Sequence, residues 1–136
     1  MSVVYVQQTM YITIDETDGR PIYQQIVDEI KAIIAAGELA EGSSLPPVRQ
    51  VAADLGVNLN TVAFAYRRLQ KEGLIRVRHG SGAVVVGRLK AQGSEERLRA
   101  RLMPVLTDMV LSGLTKAEVM ALVNEGLNAL SGLKSR

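Results

Sequence analysis

Apolar positions recur at helical spacing in five stretches of the chain, and a stretch of strand-like alternation follows the third. In the first stretch Ile22, Ile26, Ile30, Ile33 and Ile34 share one side of a helix, with Asp28, Glu29 and Lys31 expected on the other. Pro21 suits the first turn of that helix, and Gly37 marks its stop. The turn-rich segment 37–47 ends at Pro46-Pro47, a pair that can begin a helix but not continue one. A second helix is predicted from about Pro47 to Leu55, burying Val48, Val51, Ala52 and Leu55. Gly56 follows where the chain must turn sharply, and Asn58 is placed to cap a third helix running to about Glu72. In that helix Val62, Ala65, Tyr66 and Leu69 form the inward stripe, while Asn60, Ala63, Phe64 and Arg67 point outward. Leu74, Ile75 and Val77 then enter a strand, residues 79–82 (His-Gly-Ser-Gly) turn it, and Ala83–Val86 return.

The carboxyl-terminal third is different. A polar linker leads to Leu98, Leu102, Val105, Leu106, Met109 and Val110, an amphipathic helix ending near Gly113 with Pro104 expected to kink it. Thr115 and Glu118 form a capping-box pattern that opens a last helix, with Val119, Leu122, Val123, Leu127 and Leu130 along one side. Two such helices cannot fully cover each other's apolar faces, so they need the rest of the chain or a second copy. The second copy is favoured, because two-fold dimers are the commonest oligomers. Residues 1–14 alternate only loosely and read as a short edge strand or a disordered amino-terminal arm. The division that results is arm 1–14, a folded segment 15–88, linker 89–94 and a helical region 95–132.

Helix, tight turn, helix and hairpin is the order of a winged helix-turn-helix, which places its second helix in the major groove of DNA. The fold class is therefore mainly α (α+β). Charge supports this. From Leu55 to Lys90 seven basic residues face one acid, a balance of +6, whereas from Asp15 to Asp54 three face eight, a balance of −5. The overall +2 conceals a dipolar chain whose basic side suits a polyanion. Aromatic residues make up 4% of the sequence, so its core must be aliphatic. There is no cysteine and one histidine, His79, which leaves little material for a metal site, a disulfide or a conventional nucleophile–base set. An enzyme is not expected, no cofactor is implied, and no residue singles out a small-molecule effector. No apolar run of about 18 residues suggests a membrane span. The amino terminus lacks the basic start and long apolar core of a signal peptide, and a cytoplasmic location is expected.

Candidate contacts follow from position. Asn60 and Thr61 lie in the first turn of the third helix, where a recognition helix meets base edges, and an asparagine can pair with adenine through two bonds. Asn58 is read first as the helix cap. Arg67 and Arg68 lie further along, at the distance of the phosphates. Phe64 either touches a thymine methyl or sugar, or packs under the hairpin or against a neighbour. Arg49, opening the second helix, clamps a phosphate unless it pairs with Glu38, Glu41 or Asp54. His79, Gly80, Ser81 and Gly82 form a small hairpin tip flanked by Arg76 and Arg78. A basic face of this kind would also suit an acidic protein partner, an alternative in which Asn60 and Thr61 carry no weight.

The run from Pro21 to Val86, with PIYQQI, the GEL…G…LP loop, LGVNLNTV, RRLQKEGLI and RHGSG, resembles the amino-terminal domain of the GntR family of bacterial transcription regulators. The tail GLTKAEVMALVNEGL is similar to the short two-helix dimerisation region of its YtrA-type branch, the remaining length leaving no room for the larger effector domains of other branches. The resemblance implies a homodimer on a palindromic operator, usually a repressor, with DNA contact at Arg49, Asn60, Thr61 and the 79–82 wing. One departure stands out: Leu59 and Ala63 occupy places where much of the family carries basic, base-contacting side chains. Operators known for other branches therefore do not transfer.

Overall fold

The computed structural model describes residues 2–6, 10–78, 82–87 and 94–130. It divides into two compact units, Met1–Leu89 and Lys90–Arg136. The first unit opens with strands β1 (Ser2–Val6) and β2 (Met10–Ile14), paired antiparallel with Ser2 opposite Ile14 and Val6 opposite Met10. Helix α1 (Ile22–Ala35), a two-residue strand β3 (Ser44–Leu45), and helices α2 (Val48–Leu55) and α3 (Leu59–Lys71) follow. Strands β4 (Ile75–Arg78) and β5 (Gly82–Val85) close the unit, and β5 lies between β3 and β4 in a three-stranded antiparallel sheet.

The core is aliphatic except for Tyr66. It gathers Ile26, Val27 and Ile30 of α1, Val51 of α2, Val62, Ala65 and Leu69 of α3, and Ala83 and Val85 of the hairpin. Each large side chain removed from water contributes roughly 1.5–3 kcal/mol. Val48 and Leu55, expected inside, are only partly covered.

Of the two readings of residues 1–14, the strand holds and the separate arm does not. Met10, Ile12 and Ile14 of β2 are all buried, so residues 10–14 belong to the first unit's core and are not an appendage to it. The period of two turns all three toward α1. α1 ties the strand down by polar contacts as well. The Thr13 N–H donates to Glu29 at 2.6 Å, so Glu29, expected on the outer face, is turned to the strand. Gln25 is buried and fully used: it accepts from the Asp15 N–H at 2.8 Å and donates to the Asp15 and Arg20 carbonyls at 2.9 and 3.0 Å. On the far side of α1, Lys31 pairs with Glu72 at the end of α3, 2.6 Å apart.

The second unit holds helices α4 (Ser94–Leu111) and α5 (Lys116–Ala129). α4 runs through Pro104 as one helix. Thr115 caps α5 as expected: the Glu118 N–H donates to Thr115 Oγ1, and the Thr115 hydroxyl donates on to Glu118 Oε1, both at 3.2 Å. No side chain from 95 to 130 is buried.

Candidate nucleic-acid interface

The turn between α2 and α3 is built by two local devices. Gly56 takes a left-handed conformation (φ 69°) that ends α2 and reverses the chain. Asn58 then caps α3, its side chain accepting from the Asn60 N–H at 2.7 Å. Its carboxamide oxygen makes the cap, the role read first for Asn58, while the exposed side chain also stands among the candidate DNA contacts. Asn60 is exposed and Thr61 half-buried in the first turn. Behind them, Tyr66 holds α3 to the segment before α2, donating its hydroxyl to the Pro46 carbonyl at 2.6 Å. Burial pushes the Tyr66 hydroxyl above its ordinary range, so it remains a donor.

The hairpin is fastened to the same helix. The Val77 N–H donates to the Gln70 side chain of α3 at 2.7 Å. Arg76 and Arg78 are exposed along β4, and among the described residues neither is in an ion pair. Residues 79–81, the expected wing tip of His79, Gly80 and Ser81, lie outside the described residues. Gly82 has a structural role of its own. It is buried with φ 86°, and a Cβ there would run into the Leu45 carbonyl oxygen. Its place in the fold is the close approach of β5 to β3.

These pieces converge. A hollow of about 320 Å³ is lined by Pro47, Val48 and Arg49 at the start of α2, Leu59 at the start of α3, and Val77, Arg78 and Gly82 of the hairpin, with Tyr66 at its back. Arg49 is exposed and has no carboxylate partner among the described residues; the alternatives Glu38, Glu41 and Asp54 do not engage it. Asp54 instead accepts from Gln50. Leu59, half-exposed at 50%, and Val77 at 40% are the most exposed large apolar residues of this surface. Leu59 stands in the sequence as a departure from the basic residue of much of the family, and Val77 as a strand residue; neither reads there as a contact. The signal for Leu59 was its position, first in α3.

Of the seats open to Phe64, the structure shows packing against a neighbour and not under the hairpin. Its ring meets Tyr23 of α1 edge-on, centroids 4.5 Å apart and planes at 82°. Arg67 lies over the Phe64 ring at 5.8 Å and Arg68 over Tyr23 at 6.0 Å. The two arginines are therefore backed by rings and lack carboxylate partners among the described residues.

Residues 22–85, most of the first unit, match the bacterial regulatory proteins of the gntR family. The HTH-type transcriptional repressor YtrA of Bacillus subtilis is 31% identical over 105 residues, covering 75% of this chain and 81% of the relative. The chain belongs to the GntR family. As a GntR-family protein it is a DNA-binding transcription regulator and not an enzyme. Two solved structures extend the likeness beyond the winged segment. A transcriptional antiterminator from Listeria monocytogenes EGD-e superposes with TM-score 0.80 at 30% identity, over 87% of this chain and 90% of that one. YtrA from Sulfolobus acidocaldarius, described as a GntR-family transcription factor, gives 0.60 at 40% identity, over 71% of this chain and 97% of that one. Two other curated relatives are far longer, the match spanning 15% and 16% of their length. Among the described residues no helix is long and apolar enough to cross a membrane.

Proposed function

We propose that this GntR-family chain is a transcriptional repressor that binds a palindromic operator as a homodimer, one winged unit to each half-site. The supporting observation is the convergence of α2, α3 and the hairpin on one surface, with Arg49 and Arg78 beside the start of the recognition helix. In this reading α3 enters the major groove with Asn60 and Thr61 at base edges. Arg49, Arg67 and Arg68 meet phosphates, and Arg76 and Arg78 carry the wing along the flanking backbone. The apolar faces of α4 and α5 join two copies. The repressor named among the relatives points the same way.

Footprinting on the chain's own upstream region, followed by titration across salt, tests the reading. Two protected half-sites are expected, separated by about one helical turn or a multiple of it. With six to ten phosphates neutralised per dimer, affinity should fall roughly 10³- to 10⁵-fold between 50 and 200 mM salt. Asn60→Ala should cost about 1–3 kcal/mol of discrimination at one base pair of each half-site. Equal binding to scrambled DNA counts against base reading. A single protected half-site counts against the palindrome.

A further inference from the structure

The contact between α1 and α3 carries an arrangement that core packing does not require. Phe64 is the only phenylalanine in the chain, yet it lies 39% exposed instead of filling the interior. It and Tyr23 make an edge-to-face pair on the surface, with one guanidinium over each ring. Nearby cations are handled differently. Lys31 is spent on Glu72, and Arg20 on Asp18 and Asp28. Arg67 and Arg68 have no carboxylate among the described residues and keep their charge available.

A free arginine side chain samples many rotamers, and fixing it on a phosphate costs conformational entropy. A ring face attracts a guanidinium through its quadrupole while leaving the N–H groups at the rim free for an anion. Arg67 and Arg68 follow Asn60 by seven and eight residues, roughly 10–12 Å along the helix. That distance takes them past the base edges to the strand backbone.

We propose that the Tyr23–Phe64 pair is a positioning device that holds the Arg67 and Arg68 guanidinium groups as a preset clamp on the DNA backbone. This rests on the reading that α3 enters the groove. Tyr23 acts through the arginine and not through its own hydroxyl, so phenylalanine serves in its place.

The test is a double-mutant cycle in the full chain on an operator fragment, with thermal unfolding of each variant alongside. Tyr23→Leu should weaken binding about 5- to 30-fold, as expected for two copies of an exposed cation–π contact per dimer. Tyr23→Phe should stay within about twofold of the parent, and Tyr23→Leu should add less than about twofold in an Arg68→Gln background. Phe64→Leu paired with Arg67→Gln supplies a second cycle if Tyr23→Leu proves unstable. Equal losses with and without Arg68 would mean that Tyr23 merely holds α1 against α3, and the clamp falls. Loss in Tyr23→Phe would assign the contact to the hydroxyl, and the clamp falls again. If the parent chain itself shows no salt-dependent binding, the groove reading fails instead.

Discussion

At Gly82 the chain leaves no space for a side chain, and the cause lies 37 positions away in the Leu45 carbonyl. The Gly-rich hairpin was legible as turn chemistry, but a contact at that separation was not, because it exists only once β3 has paired with β5. Gly82→Ala should therefore destabilise by more than the roughly 1 kcal/mol that a positive φ alone costs, read as a lower midpoint in urea. Asn58 is the opposite case, a purely local role that its spacing to the first turn revealed. Asn58→Ala should lose about 1 kcal/mol of stability through the lost cap. Leu59 adds a chemical prediction. With half its surface exposed beside Asn60, it offers the groove an apolar group, and the apolar feature of the major groove is the thymine methyl. Replacing half-site thymines by deoxyuridine should weaken the parent chain at one position and leave Leu59→Ala unaffected there. Equal losses for both would remove Leu59 from base reading.

Among the elements, helices α1, α2 and α3 were readable because each repeats apolar residues at helical spacing between clear stops. β3, two residues long inside a turn-rich loop, was not, and β2 was readable only as one of two alternatives because the alternation of its stretch is loose until α1 covers it. The joint between loop and helix rests on Tyr66. Its hydroxyl is the buried partner of the Pro46 carbonyl, so Tyr66→Phe strands an acceptor and should cost about 1–3 kcal/mol. The same group sets a pH dependence. The unfolded chain releases this proton near pH 10, whereas burial keeps it bound in the fold. Below that pH the difference has no effect. As pH rises above about 10, stability falls in the parent chain, and Tyr66→Phe should lack that component in alkaline melts.

The whole molecule combines a winged unit with a core and a helical unit without one. Leu98, Leu102 and Val105 of α4 and Leu122, Val123 and Leu127 of α5 are each at least 40% exposed, and Leu106, Met109, Val119 and Leu130 are only half-covered. A monomer that left this face in water would carry an apolar patch of the kind that marks an association site. A standard interface takes roughly 20–30 residues from each side, and α4 and α5 supply 18 and 14. The winged unit does not depend on that contact for its own core, so assembly and fold should separate under mutation. Leu102→Asp with Leu122→Asp should give a single copy by light scattering while the winged unit keeps its melting transition. Operator affinity should then fall by about 10²- to 10⁴-fold, because the two half-sites no longer act at a shared effective concentration. Half-site affinity itself should be unchanged, measured on a fragment carrying only one half. A variant that stays dimeric would place the pairing surface outside the two helices, and a parent chain that is already single at micromolar concentration would remove the homodimer.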